Sequence, residues 1–196
     1  MQPRASAYGI GVGPDRISLK RGAYMRIFPV LAALSLLGAG AFAQAPSANP
    51  LTSGMQKIYG MTKNDVLKSA EEMPEKNYSF RPVSTVRTFG QLVAHVADAQ
   101  YEFCGPVAGD GTKSPGVEEN KTSKADIIAA LKVAFAYCDK TYAGMTDANA
   151  ADIIKFFGPS TKLAVLSFNN AHNMEHYGNM VTYLRIKGLV PPSSKK

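Results

Sequence analysis

The sequence has few cysteine, proline and glycine residues, which are abundant in disulfide-rich or low-complexity proteins. Its two cysteines exclude a disulfide-dense mini-scaffold and a zinc finger built on cysteine ligands. Twelve prolines and 17 glycines in 196 residues are too few for a collagenous or low-complexity chain. Histidine is equally scarce, with three residues in the whole chain, so the location of each one matters for function.

The rest of the composition is typical of a soluble globular protein. Hydrophobic residues make up 45% and charged residues 19% of the chain, which excludes disorder of the whole chain and a multi-span membrane protein. A length of 196 residues is enough for one domain of ordinary size and too short for two large ones. The formal net charge of +7 at first favours an anionic partner such as nucleic acid.

The N-terminal segment up to Ala43 predicts a targeting signal. Arg26 precedes an uncharged apolar run from Pro29 to Ala43, which ends in the small-x-small pattern Ala41-Phe42-Ala43. A basic start, a short apolar run and a small-residue exit are typical of a secretory signal peptide, whereas a transmembrane anchor needs about 20 apolar residues. We predict an upstream extension at 1–24, a true start at Met25, cleavage after Ala43, and an exported protein that is periplasmic or secreted.

Removal of that segment changes the charge balance. Five of the 22 basic residues and one of the 15 acidic residues lie before the predicted cut. The remaining 153 residues carry 17 basic and 14 acidic side chains, a net charge of +3. Most of the basicity therefore belongs to targeting. We predict no nucleic-acid partner, no stable membrane anchor after cleavage and a small-molecule substrate of unknown identity, and we leave a homodimer open.

The mature chain predicts an all-α fold, a four-helix bundle with a long crossover between helices 2 and 3. Apolar residues recur at three- and four-residue steps in four segments, and no segment shows sustained two-residue alternation. The capping-box pattern Thr88–Gln91 opens the second helix, and Gly188 followed by Pro191 ends the fourth. The predicted segments are a linker at 44–51, a bundle domain at 52–192 with helices at Thr52–Met73, at Thr88–Cys104 (ended by Gly105-Pro106), from a cap at Thr122 or Ser123 to about Met145, and at Thr161–Lys187, and a tail at 193–196.

The three histidines predict a metal site between two helices. Each helical residue advances by about 100°, so His172 and His176 share one face of the fourth helix, and imidazoles at i and i+4 can bind one ion. His95 lies on the shoulder of the apolar stripe of the second helix and can join them if these helices are neighbours. We predict that all three bind a divalent metal ion and leave an open coordination position, as in catalytic sites.

The identity of the ion and the role of the pair stay open. Imidazole suits zinc, nickel, iron and copper alike. The alternative is a buried pair, His172 and His176, satisfied by hydrogen bonds, with His95 unrelated to it.

Two further residues on the fourth helix are candidates for catalysis. The segment His172–His176 matches the HxxEH signature of inverted zinc proteases, in which the glutamate is the general base. Those enzymes need a downstream carboxylate ligand and no Asp or Glu follows His176, so we interpret the match as coincidental. Glu175 stays a candidate for proton transfer, with an exposed helix carboxylate as the favoured alternative. Tyr183 shares the histidine face and either donates a hydrogen bond in the pocket or serves as a core tyrosine.

Three segments resemble the DinB-like family. They are Phe80-Arg81-Pro82, residues 86–101 (VRTFGQLVAHVADAQY) and residues 170–192 (NAHNMEHYGNMVTYLRIKGLVPP). The resemblance covers about residues 52–192 and implies a four-helix bundle with a long crossover. It also implies a divalent metal held by one histidine of the second helix and two of the fourth, which correspond to His95, His172 and His176.

The resemblance implies a class of function without a substrate. Some members of the family are metal-dependent transferases that use low-molecular-weight thiols, and many have no assigned reaction. An exported chain would not meet a cytosolic thiol, so we expect the fold and the ligands to transfer but not the substrate. The sequence predicts a DinB-like metal-dependent hydrolase or thiol-type transferase. The alternative is a non-catalytic metal-binding or stress-related envelope protein that keeps the site without turnover.

The two cysteines predict one disulfide. Cys104 and Cys138 fall near the apolar faces of successive helices, and an oxidising compartment would allow them to form a bond. The alternative is two buried free thiols. A nucleophilic role is disfavoured because no histidine lies close in sequence to either cysteine.

Overall fold

A computed structural model describes residues 48–195 of the chain. The predicted upstream extension and signal peptide, residues 1–43, and the first half of the predicted linker, residues 44–47, lie outside the described residues. Five α-helices and one hairpin of two short strands form the described part. They are α1 (Pro50–Glu72), α2 (Phe89–Ala108), α3 (Val117–Asn120), α4 (Lys124–Ala143), β1 (Ile153–Lys155), β2 (Pro159–Thr161) and α5 (Lys162–Ile186), with single 3₁₀ turns at Glu75–Asn77 and Pro192–Ser194.

The four long helices pack into a bundle. Helices α1 and α2 each contact both α4 and α5, so that every long helix has two long neighbours and the apolar faces meet in one core. The long connection between α2 and α4 carries the single-turn helix α3, which packs on α2. The all-α prediction is confirmed, and the neighbouring positions of α2 and α5 are what the histidine hypothesis required.

The helix starts follow the capping signals in the sequence. Thr88 and Gln91 form a complete capping box at the start of α2, each side chain binding the backbone N–H of the other residue. Of the two caps proposed for the third long helix, Ser123 is the one used, with its hydroxyl accepting from the Asp126 N–H. Thr161 caps α5 in the same way.

The predicted end of the second helix at Cys104 is wrong. Helix α2 continues through Gly105 and Pro106 to Ala108, although an interior proline removes a hydrogen bond at a cost of about 3 kcal/mol. Val107 is buried beyond the proline, so packing of the last turn offsets that loss. Gly105 does not end the helix. It allows the helix to pack closely against the following loop, because a Cβ there would approach the Thr112 carbonyl oxygen to 2.8 Å. Gly109, with φ of 70°, ends the helix in the left-handed conformation.

The hairpin and α3 were not predicted because each is too short to show a periodic pattern. The strands pair antiparallel, with Ile153 opposite Thr161 and Lys155 opposite Pro159. Phe157 at the tip has a positive φ of 51° and is fully exposed, and Gly158 beside it has φ of 137°. The hairpin places Phe156 against the α2 side chain Phe103, with ring centroids 5.4 Å apart.

A disulfide joins α2 to α4 in the core. It links Cys104 and Cys138, whose Cα atoms are 5.5 Å apart, and both residues are fully buried. The amide of Asn169 on α5 contacts both sulfurs at 3.7 Å. The covalent link therefore lies where three of the long helices meet.

Removing this disulfide is expected to destabilise the protein by about 3–4 kcal/mol, because the bond closes a loop with a sequence separation of 34 and restricts the unfolded chain. The measurement is urea unfolding of the oxidised protein against the Cys104→Ala/Cys138→Ala variant. Dithiothreitol should lower the free energy of unfolding of the parent protein and leave that of the double variant unchanged. Equal unfolding midpoints of the oxidised parent and the variant would contradict the expectation.

Candidate metal centre

Two neighbouring helices bring all three histidines together. His95 lies on α2, and His172 and His176 lie one turn apart on α5. The Nε2 atom of His172 is 3.2 Å from Nε2 of His95 and 3.0 Å from Nε2 of His176. One ring nitrogen from each residue lies within 4.8 Å of the others. The three imidazoles therefore converge on one point and could hold a metal ion.

The register of α2 and α5 is set by a buried amide network behind the histidines. Gln100 on α2 donates from Nε2 to Oδ1 of Asn173, the residue after His172, at 2.8 Å. Asn169 also donates to Oε1 of Gln100, at 3.3 Å. All three side chains are fully buried. A buried amide without its hydrogen-bond partner would destabilise the fold. A shift of either helix would break this network and separate the histidines.

The spacing of the nitrogens fits a small ion. Zinc–nitrogen bonds of about 2.0–2.1 Å in a tetrahedral site place two ligand nitrogens roughly 3.3–3.4 Å apart. The Nε2–Nε2 separations of 3.2 and 3.0 Å lie close to that range. Converging lone pairs repel one another unless a proton or a cation lies between them. The residues present therefore fit a metal bound by three neutral imidazoles.

The environment favours the neutral form that metal binding needs. Burial lowers the pKa of His172 to about 3, with the neighbouring His176, His95 and Arg87 adding to the effect. Burial also lowers the pKa of His176, helped by the proximity of His95. Both rings are therefore neutral at neutral pH, so that a metal does not have to displace a proton from them.

This depression of the two pKa values predicts that the metal-free protein loses stability below neutral pH. In the unfolded chain histidine titrates near 6.5, so between that value and the lowered folded pKa the unfolded state binds more protons and stability falls as the pH falls. The upper limit is about 1.4 kcal/mol per pH unit for each histidine, reduced here by solvent screening because the site is partly exposed.

Urea unfolding of the metal-free protein between pH 7.5 and 5.0 measures this effect. The His172→Gln variant has one fewer buried imidazole to protonate, and should show a shallower loss of stability over the same range. Identical slopes for the two proteins would contradict the pKa assignment.

His95 is oriented by a carboxylate from the crossover. Oε2 of Glu118, on α3, lies 3.3 Å from Nδ1 of His95, and Oε1 accepts from Nε of Arg87 at 2.8 Å. Nη2 of Arg87 also lies 3.4 Å from the same Nδ1. If Nε2 of His95 binds a metal, Nδ1 would carry the proton and donate a hydrogen bond to Glu118, the arrangement that fixes ring orientation in many metal sites.

The short helix α3 is held in place by Asp98, one turn after His95 on α2. Oδ1 of Asp98 accepts the Val117 N–H at 2.7 Å, and Oδ2 accepts the Glu118 N–H at 2.8 Å. The Ser114 hydroxyl donates to the same carboxylate. A carboxylate at a helix N-terminus is stabilising, and here it fixes the backbone from which Glu118 reaches His95.

The other two histidines are held differently. Nδ1 of His172 is buried and has no hydrogen-bond partner among residues 48–195. Its ring packs instead against Phe103, with centroids 5.3 Å apart, so packing sets its orientation. Nδ1 of His176 lies 3.4 Å from the side-chain amide nitrogen of Asn179. Rotating this amide group by about 180° places its oxygen where it accepts a hydrogen bond from Nδ1.

The two catalytic candidates both border His176. Glu175 is exposed and lines a cavity of about 450 Å³ beside His176. Tyr183 lines the same cavity, but its hydroxyl donates to the backbone carbonyl of Arg87 at 2.7 Å. The catalytic roles of both residues stay predictions. A second cavity, of about 600 Å³, borders His95 on the side of α3.

Three residues of the site were missed from the sequence. Arg87, Asp98 and Glu118 were not predicted as site residues, yet Arg87 and Glu118 contact His95, and Asp98 binds the backbone N–H of Glu118. Asp98 had a usable signal, because it follows His95 by three residues and so lies on the same side of α2. Glu118 had none, since it reaches the site only after the crossover docks on α2.

The fold and the site together define a class of protein: an all-α bundle with a three-histidine centre between two of its helices. The model of the DinB superfamily matches residues 59–180, which is more than half of the chain, and the chain belongs to this superfamily. This match confirms the resemblance to the DinB-like family that was predicted from the sequence.

Individual relatives are similar along most of the bundle. The "Uncharacterized protein YjoA" of Bacillus subtilis (strain 168) is 26% identical over 133 residues, which cover 64% of this chain and 84% of that protein. A crystal structure of a DinB-like protein from Bacillus cereus ATCC 10987 gives a TM-score of 0.58 at 20% identity, covering 71% of this chain and 95% of the other. The crystal structure of YjoA gives 0.57 at 20% identity, with coverage of 76% and 100%. These structures support the fold.

Proposed function

We propose that the chain is a divalent-metal-dependent enzyme in which His95, His172 and His176 bind the ion. The observation that carries this proposal is the convergence of three Nε2 atoms, two pairs of which are 3.2 and 3.0 Å apart. The lowered pKa values of His172 and His176 support it, because both rings are ready to donate a lone pair. With three protein ligands, the fourth position is open to a substrate or water.

The reaction class is hydrolysis or group transfer on a small molecule. A bound divalent ion in such a site lowers the pKa of water or polarises an oxygen or sulfur group of a ligand. The chain itself orients His95 through Glu118 and packs His172 against Phe103. Glu175 is the exposed carboxylate nearest in sequence to a ligand and is the residue available to move a proton. Zinc, nickel and iron all suit the three imidazoles.

The test is a screen of hydrolase and transferase substrates with the protein loaded with zinc, nickel or iron in turn. Activity should disappear when the metal is removed by a chelator and return when it is added back. The rival function, a metal-binding or stress-related envelope protein without turnover, predicts a metal that is needed for folding. If the loaded protein turns over no substrate and the chelated protein unfolds, the metal is structural and the enzyme proposal fails.

We further propose that the protein acts outside the cytoplasm. The support is the apolar run at 29–43 with its basic start and small-residue exit. Within residues 48–195, none of the helices is long and apolar enough to cross a membrane. Sequencing the N-terminus of the exported protein tests the cut, and a first residue other than Gln44 would contradict it.

A further inference from the structure

The cavity beside His176 has the size and lining of a small-molecule pocket. It encloses about 450 Å³ between the segment that precedes α2 and the C-terminal half of α5, within the range of ligand pockets. Its walls combine the apolar side chains Pro82, Val86 and Leu92 with the polar groups of Arg87, Asn179 and Thr182. His176 reaches its wall, so a molecule in this cavity lies next to the proposed metal site.

The two cavities beside the histidines differ sharply in charge. Among the described residues, those that line the cavity bordering His95 include four carboxylates and no lysine or arginine, so this cavity repels anions. The four are Asp98, Glu102, Glu118 and Glu119. Among the described residues that line the cavity beside His176, Arg87 carries a positive charge and Glu175, which is exposed, carries the one carboxylate. An anionic ligand is therefore directed to the side of His176.

Arg87 is fixed in place with part of its guanidinium free. Its backbone carbonyl accepts from the hydroxyl of Tyr183 at 2.7 Å, and its Nε donates to Glu118 at 2.8 Å. Nη2 lies near Nδ1 of His95, while Nη1 makes no hydrogen bond within residues 48–195. The side chain is 43% exposed. A guanidinium held at one end and open at the other is suited to bind a carboxylate.

We propose that this cavity is the substrate pocket and that it takes a small carboxylate with a short apolar body. Nη1 of Arg87 binds the carboxylate, the hydroxyl of Thr182 and the amide of Asn179 supply neutral polar contacts, and the apolar wall holds the body. This inference rests on the proposed function, because the pocket is a substrate pocket only if the three histidines bind a catalytic metal.

The experiment titrates butyrate, and butyramide as its uncharged analogue of the same shape, into the ¹⁵N-labelled protein at constant low ionic strength. Amide shifts in NMR spectra report the binding position and the affinity, with the protein loaded with zinc and again without metal. We expect butyrate to shift Arg87, Asn179 and Thr182, and butyramide to bind at least about tenfold more weakly, because a hydrogen bond to a charged group is lost.

The variants identify the residue responsible. Arg87→Gln should remove the preference for butyrate, and Arg87→Lys, which keeps the charge, should retain part of it. The matched control is Arg81→Gln, since Arg81 lies in the same segment, bonds only to the Ser84 carbonyl among the described residues and does not line the cavity. A preference that survives in Arg87→Gln, or one lost equally in Arg81→Gln, would overturn the proposal.

Failure of this proposal can be separated from failure of the proposed function. If zinc binds through the histidines but butyrate and butyramide bind equally, or butyrate shifts Gln91 and Glu119 in the acidic cavity, the pocket assignment is wrong. If zinc does not bind while the metal-free protein still prefers butyrate through Arg87, the carboxylate pocket stands and the metalloenzyme proposal fails.

Discussion

Replacing His172 with alanine is expected to abolish tight metal binding, lowering the affinity for zinc by more than the ~10–100-fold that losing an outer-shell partner costs. His172 is the central residue of the proposed site, because its Nε2 lies 3.2 Å from Nε2 of His95 and 3.0 Å from Nε2 of His176 while its side chain is partly buried. Without it the two remaining imidazoles come from different helices and offer one nitrogen each. Competition with a chromophoric chelator measures the affinity, and elemental analysis of protein purified without a histidine tag measures the metal content.

The matched control for this change is Ser167→Ala, at an exposed position on the same helix. That variant should bind zinc as the parent does, with one ion per chain. His172→Ala also removes a ring packed against Phe103, so unfolding must be measured in parallel. Substoichiometric metal that is the same in the parent and in His172→Ala would refute the metal site and leave the alternative of a hydrogen-bonded histidine pair.

The convergence of the three histidines could be predicted because local geometry determines most of their arrangement. His172 and His176 are four residues apart on one helix, and helix periodicity alone places them on one face. His95 required one further assumption, that its helix is a neighbour of α5, and the structure supplies that contact. The proximity of the three histidines could be predicted because it depends on one regular helix and on the contact between two regular helices.

The groups around the three histidines could not be predicted because they depend on how irregular segments dock. Glu118 lies on a helix of four residues, too short to have a periodic pattern, and reaches His95 only because Asp98 binds the backbone N–H groups of Val117 and Glu118. The continuation of α2 past Gly105 and Pro106 has a similar cause. There the burial of Val107 outweighs the local preference of proline to end a helix.

Glu118→Ala is expected to weaken zinc binding by about 10–100-fold, the usual effect of losing a carboxylate that orients a ligand histidine. Oε2 of Glu118 lies 3.3 Å from Nδ1 of His95. With the carboxylate removed, the only group left beside Nδ1 among the described contacts is Nη2 of Arg87, at 3.4 Å, a donor that favours the wrong tautomer for binding through Nε2. The matched control is Glu119→Ala. Glu119 is exposed, lines the cavity that borders His95 as Glu118 does, and makes no contact with His95.

The role of Glu118 in orienting the ring can be told apart from a merely structural role by following the His95 Nδ1 proton. In the zinc-loaded protein that Nδ1 proton should be hydrogen-bonded to the carboxylate and exchange slowly with water in ¹H–¹⁵N spectra. It should exchange faster in Glu118→Ala, while Glu118→Gln, which keeps an acceptor oxygen but no charge, should fall between the two in both exchange and affinity. If Glu118→Ala and Glu119→Ala bind zinc equally well, and the His95 proton is equally protected in both, the hydrogen bond does not orient the ligand and the crossover has no part in the metal site.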